Sequence, residues 1–390
     1  MDHKISLHLT EVPKELMLIL RMISNSEKTV QKHEYDRIHW EQFLKMAVHH
    51  RLFPLLYVRI SEQKYNFIPK HVVDSLEELY RKSTFRMLHL CGVMEHISRL
   101  FSNKNIRSLF LKGPILAHEL YGDLSLRTCS DIDLLVSFED LEKAEHLLLE
   151  QGYEKDEYIQ SLLNDWTWRH HHFTYYHRDT GTKVEIHWRL NPFPSTEPSF
   201  NELWERKKKT DLICHPTYYL GDEDLFFALM THGARHAWSR LRWLVDIHRM
   251  AKNDIQWARI IKHIQKFRYG HVSAQAFTLA TKVLGTNIPK EMNSYLNDES
   301  AELAQKTVFY MEKMVNLHTD PVPIEISKYH KKYLYSLMSR KEKMFYLLSM
   351  LHPYYTDAET FPLPKSMHLL YFPLRPFLWM FRKVKKHAIT

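Results

Sequence analysis

Leu109-Phe110-Leu111-Lys112-Gly113-Pro114, and soon after it Arg127-Thr128-Cys129-Ser130-Asp131-Ile132-Asp133-Leu134-Leu135-Val136, are the stretches whose reading decides the fold. Ile106 to Leu111 is a short apolar run of the kind that forms a buried strand. It stops at Lys112-Gly113, and Pro114 suits the first position of a helix, where its missing N–H costs nothing. A strand, a tight glycine turn and a helix aim free backbone N–H groups and the positive end of a helix dipole at one point, which suits a phosphate. Asp131 to Val136 reads as a second strand. Alternation puts Asp131 and Asp133 on one face and Ile132 and Leu134 on the other. Two carboxylates side by side on a half-buried strand repel each other and lose hydration, so they call for a hard cation between them.

Lys183-Val184-Glu185-Ile186-His187-Trp188-Arg189 alternates strictly. Val184, Ile186 and Trp188 point into a core, and Lys183, Glu185, His187 and Arg189 point the other way. If this strand lies beside Asp131–Val136, Glu185 joins the two aspartates. Three acidic groups opposite a phosphate-holding turn suit Mg²⁺ (or Mn²⁺) and a nucleoside triphosphate.

The order of glycine turn, helix, Asp-x-Asp strand and later carboxylate strand resembles the polymerase-beta-like nucleotidyltransferase superfamily. Leu111-Lys112-Gly113, Arg127, Ser130 to Val136 and Glu185-Ile186-His187-Trp188 look more closely like the bacterial family labelled "uncharacterised nucleotidyltransferase". The motifs span about 106–189, with weaker similarity to about Met250. The wider superfamily usually has Gly-Gly or Gly-Ser at the turn, where this chain has Lys112-Gly113, and the family often has Asp where Glu185 stands. The resemblance implies an enzyme that transfers a nucleotidyl group to an acceptor hydroxyl or phosphate on a small molecule or peptide. Relatives of the close family are associated with peptide natural-product pathways, which makes a peptide acceptor one expectation.

On that reading Asp131 and Asp133 hold the metal, and Glu185 is a third ligand or the base that takes the acceptor's proton. Lys112 and Gly113 hold the β/γ-phosphates. Arg127 adds a charge-assisted bond to the same oxygens, and His187 orients Glu185. The alternative is a protein on the same fold that binds a nucleotide or a partner without chemistry.

The 390 residues are 44% hydrophobic, ample for a sizeable core in two or three packed units. Only 9 glycines are present, which favours a mostly helical chain. Cys91, Cys129 and Cys214 have neither disulfide nor zinc spacing, which fits a reducing cytoplasm. A net charge of +8 is compatible with acidic partners such as nucleotides, and no nucleic-acid-binding motif is present. Leu16 to Leu20 is too short for a signal peptide, and no run is apolar enough to span a membrane. Arg169-His170-His171-His172 is conspicuous, but successive strand side chains diverge, so a shared metal is not expected.

The expected architecture is α+β: a small mixed-sheet nucleotidyltransferase core with a helical N-terminal cap and a helical C-terminal domain. The boundaries are a cap over 1–104, a core over 105–195, helices over 196–360, and an aromatic, basic tail over 361–390. Helices are expected over 12–24, 35–50, 69–102, 139–151, 223–236 and 239–251, and a hairpin joins 173–177 to 183–189. His232 and His236, four apart, suit structural or substrate-facing roles better than a metal, and Asp246 is expected to pair with a nearby arginine. Phe377 to Lys386 sets aromatics beside a basic cluster, a pattern that suits weak contact with an anionic membrane surface or with a nucleic acid. The plainer expectation is that those aromatics pack on the protein while the lysines are solvated.

Overall fold

The computed structural model describes residues 7–24, 35–253, 255–317, 319 and 321–387, with side chains as far as 384. Parts of the expected cap and the end of the tail, Ala388–Thr390, fall outside these residues. The fold is α+β, built on one seven-stranded mixed sheet. Its strands are β1 (Ser108–Phe110), β2 (Asp131–Val136), β3 (Tyr153–Lys155), β4 (His172–His177), β5 (Lys183–His187), β6 (Lys208–Thr210) and β7 (Thr217–Tyr219). They lie in the order β3-β4-β5-β2-β1-β7-β6. The β4–β5 hairpin forms across Arg178 to Thr182 as its turn residues require. Strands β3, β6 and β7, of three residues each, are too short to leave a period in the sequence, and β6 and β7 extend the sheet past residue 195.

Strands β2 and β5 are parallel neighbours, with Asp133 opposite Glu185, Asp131 opposite Lys183 and Leu135 opposite His187. One face of the sheet is apolar: Ile132, Leu134, Val184, Ile186 and Tyr175 are buried against Met94, Ile97 and Phe101 of the helix Lys70–Asn103 and Leu147 and Leu148 of the helix Leu141–Glu150. The other face carries the charges. It is closed beyond them by Leu109, Leu111 and Leu135, which join a second core.

That second core unites the two helical regions. Leu16, Ile19, Phe43 and Leu56 pack in one cluster with Phe226, Leu244, Ile260 and Phe277. The helix Phe53–Gln63, with Pro54 in its first turn, completes the N-terminal layer. The helix Lys70–Asn103 serves both cores, through Val72 and Leu76 in the mixed helical layer and Met87 to Phe101 beneath the sheet. A helix of that length spans about 50 Å, so it reaches across both layers.

A buried ion pair locks the sheet to the C-terminal helices. Arg127 Nε and Nη2 lie 2.9 and 3.0 Å from the two oxygens of Asp246, on the helix Arg242–Lys252, and Tyr121 Oη donates to the same carboxylate at 2.7 Å. Asp246 thus pairs with an arginine as expected. Removing one partner strands a buried charge, so Asp246→Ala should cost roughly 3–5 kcal/mol in chemical denaturation.

Two histidines make the packing acid-sensitive. Burial, with the neighbouring His49, pushes His50 down to about 3, and burial with Lys252 and Arg249 pushes His248 to about 4. The unfolded chain takes up these protons near the ordinary pKa of 6.5, before the folded chain does. Stability from both groups is therefore full above about pH 6.5 and falls as pH drops toward 4. Unfolding temperatures recorded across that window should decline, and His248→Gln should flatten the decline.

Candidate active site

The parallel pairing of β2 and β5 assembles the site. The two strands alternate, so Asp131, Asp133, Lys183, Glu185 and His187 share the open face. Antiparallel β4 adds His172 opposite His187 and Thr174 opposite Glu185. His187 Nε2 lies 3.3 Å from Asp133 Oδ1 and 3.4 Å from Glu185 Oε2, and ligand atoms of these three residues all fall within 4.8 Å of one another. Glu185 therefore reaches Asp133 by strand pairing. Asp131 stands one step along, 3.5 Å from Lys183 Nζ, which also touches Glu185 Oε1 at 2.5 Å.

The charges are arranged to keep most of the acids ionised. Burial opposes ionisation of Asp133, but Lys112, whose Nζ lies 3.3 Å away, and the His187 hydrogen bond hold its pKa below the usual range. Burial also opposes ionisation of Glu185, and the His187 hydrogen bond with the charges of His172, His187 and Lys183 outweighs it. Asp131 goes the other way, raised by burial and by the charges of Asp133 and Glu185. His187 is raised: burial works against its charged form, but hydrogen bonds to Asp133 and Glu185 win. Three carboxylates thus lie among Lys112, Lys183 and His187, and Asp133, Glu185 and His187 could together hold a metal ion. Oxygen donors converging on one point suit a hard cation such as Mg²⁺ or Mn²⁺.

Gly113 has φ +81°, which only glycine adopts readily, and it opens the helix Pro114–Tyr121. A Cβ there would meet Asp131 O at 3.6 Å and Cys129 Sγ at 3.9 Å, so backbone conformation rather than space requires the glycine. Lys112 projects from this turn onto Asp133.

Arg127 lines the same cleft as Lys112 while reaching into the protein. Its Nε and Nη2 are committed to Asp246, it is 1% exposed, and only Nη1, buried, has no hydrogen-bond partner. Arg240 and Arg242 line the cleft as well. Arg51 lies in the N-terminal layer at φ 60°, and the His50 carbonyl just before it accepts the Arg242 backbone N–H at 3.1 Å. This contact brings Arg51 to Arg240 and Arg242. Burial lowers all three guanidinium pKa values, helped by Arg86 at Arg51, by Arg51 and Arg242 at Arg240, which falls to about 10, and by Arg127 and Arg51 at Arg242; none of the three has an ion pair among the described residues. Buried Arg242 Nε and Trp243 Nε1 also lack partners. These atoms of the arginine wall only donate, so an acceptor brought into the cleft would satisfy them.

The cleft encloses about 440 Å³ and is bounded by Lys112, Asp131, Asp133, Glu185, His187, Arg240, Arg242 and Trp243, among others. Its far end holds His171, His172 and Arg235. His171 precedes β4, so it does not diverge from His172 as two strand residues would, and ring nitrogens of His171, His172 and His187 fall within 4.8 Å. Arg235 Nη1 lies 3.0 Å from His171 Nε2, and burial with the Arg235 charge keeps His171 well below its ordinary pKa. His232 and His236 line the same cleft. Sequence reading missed Arg51, Arg240 and Arg242. The only local signal was Arg240-Leu241-Arg242, two cations flanking a buried leucine at a helix start.

A mixed sheet with Asp-x-Asp on one strand and a third carboxylate on its parallel neighbour, wrapped in helices, is consistent with a nucleotidyltransferase core. The chain belongs to the family described as uncharacterised nucleotidyltransferase, whose model matches residues 36–285. No curated protein and no solved structure matches the chain.

Manganese binding, followed by the electron-spin signal of the free ion, should weaken by about tenfold or more in both Asp133→Asn and Glu185→Gln, while far-ultraviolet dichroism stays unchanged.

Proposed function

We propose that this protein transfers a nucleotidyl group from a nucleoside triphosphate to an acceptor hydroxyl or phosphate on a small molecule or peptide. The observation that carries the reading is the β2–β5 register, which sets Asp133 against Glu185, with Asp131 beside them, on the open face of the sheet. Asp131, Asp133 and Glu185 would hold Mg²⁺ or Mn²⁺, which when bound supplies Lewis acidity and neutralises charge on the phosphates. Arg51, Arg240 and Arg242 donate to the triphosphate, an acceptor that would also satisfy the unpartnered Arg242 Nε. Lys112, on its flexible stem, adds positive charge at the turn. Gly113 holds that turn in its left-handed conformation.

The acceptor oxygen attacks the α-phosphorus, the bond to the bridging oxygen of the β-phosphate breaks, and pyrophosphate leaves toward the arginine wall. Glu185, kept ionised, is placed either to take the acceptor's proton or to act as the third ligand. His187 orients it through the 3.4 Å contact. Arg127 serves this reading as a positioning residue that anchors β2 to the C-terminal helices.

Incubating candidate acceptors with each triphosphate and Mg²⁺, then reading intact mass, tests the proposal, because the mass gain names the transferred group. Asp131→Asn and Asp133→Asn should each lower turnover by orders of magnitude without unfolding the protein. Arg240→Ala with Arg242→Ala should weaken triphosphate binding more than nucleoside binding, by roughly 1–3 kcal/mol per lost charge-assisted bond. Triphosphate binding with no mass gain on any acceptor would favour a non-catalytic nucleotide binder.

A further inference from the structure

The helix Tyr371–His387 is built inside out. The side it turns to the protein carries buried Tyr371 together with Arg375 and Arg382, whose guanidinium groups lie 2.7 and 2.6 Å from the two oxygens of Asp357. Asp357 is 0% exposed, and Tyr371 Oη donates to the Phe361 carbonyl at 2.8 Å. These bonds fix the rotation of the helix about its axis. The side turned to solvent is apolar: Phe377 is 66% exposed and Val384 65%, with Met380 and Phe381 between them also exposed. The helix Arg340–Ser349, whose following residue Met350 accepts from Arg375 Nε at its carbonyl, also exposes Leu347 and, just past its end, Leu351. Most of the large apolar side chains exposed to solvent lie between Met344 and Val384. Phe377, Trp379 and Phe381 therefore do not pack on the protein, where the plainer expectation had placed them.

A water-facing helix puts its apolar stripe on the protein and its charges outward. Here two charges are spent on the anchor and the stripe is left outside. An exposed stripe of this kind marks an interaction surface. The charge balance selects the partner. From Phe361 to Thr390 the chain has 6 lysines and arginines and no acidic residue. Two of the 6 cations pair with Asp357, and Lys383, Lys385 and Lys386 follow the aromatic run. Among the described residues no helix is long and apolar enough to cross a membrane. Exposed Phe, Trp and Met followed by a run of lysines, on a helix too polar to span, suit the headgroup boundary of an anionic bilayer.

We propose that this face docks the protein on anionic membranes, with Phe377, Met380, Phe381 and Val384 immersed among the acyl chains and the lysines at the lipid phosphates. The docking is independent of the nucleotidyl-transfer reading. The full chain should co-sediment with phosphatidylcholine vesicles that contain phosphatidylglycerol, and much less with phosphatidylcholine alone, and added salt should release it. Phe377→Ser with Phe381→Ser should lower the partition coefficient by roughly tenfold or more, and Lys383→Glu should lower it selectively for the anionic vesicles. These side chains are exposed, so unfolding temperature should stay unchanged. As a second readout, brominated lipids should quench Trp379 fluorescence, a signal that Trp379→Phe removes. Absence of vesicle binding by the unaltered protein, or equal binding by Phe377→Ser with Phe381→Ser, overturns the proposal. Self-association that those substitutions abolish, without vesicle binding, would make the face an interface between copies and would equally overturn it.

Discussion

The parallel register of β2 and β5 is the constraint on which the rest depends. Strand side chains alternate with a period of two, so a slip of one residue would send Glu185 into the core and bring Ile186 to the open face. The slip is prevented from below. Ile132, Leu134, Val184 and Ile186 are buried against two helices, and moving any of them outward would expose apolar area worth about 1.5–3 kcal/mol per side chain. The apolar underside of the sheet thus sets the position of the carboxylates above it, and packing determines the geometry of the chemistry.

Concentrating three carboxylates in one place carries a desolvation cost, and the chain offsets it with charges of its own. Lys112, Lys183 and His187 each touch an acid directly. Farther along the cleft the balance reverses, and Arg51, Arg240 and Arg242 crowd together without an acidic partner among the described residues. A site acidic at one end and basic at the other is polarised along its length. A ligand that carries both a metal and a string of phosphates satisfies both ends at once.

The parts of this arrangement that were legible in the sequence were local. Asp131 and Asp133, the alternation around Glu185, the turn at Lys112-Gly113 and the β4–β5 hairpin each announce themselves within a few residues, because strand period and turn chemistry act at that range. Nearness in sequence to the acidic strand brought Arg127 to the cleft, but its bond to a helix over a hundred residues away left no local signal. The arginine wall was invisible for the complementary reason. Arg51 meets Arg242 only when the N-terminal layer packs on the C-terminal helices, and no periodicity encodes that contact. The histidines at 171 and 172 were read as diverging strand residues, but the strand begins one residue later than that reading required. The tail ran against the rule that aromatics go inside, because a buried aspartate outcompeted them for the inner face.

The mixed helical core has a consequence for synthesis. The helices Lys14–Ile23 and Trp40–His49 pack on each other and share one core cluster with Phe226, Leu244, Ile260 and Phe277. A chain emerging from the ribosome at about 5–20 residues per second exposes those early stripes for on the order of tens of seconds before the later helices arrive. Native contacts of such large sequence separation close slowly, because loop entropy is lost before packing compensates it. The nascent N-terminal segment is therefore a natural client for chaperones that shield apolar helices, and the arginine wall is among the last features of the molecule to form.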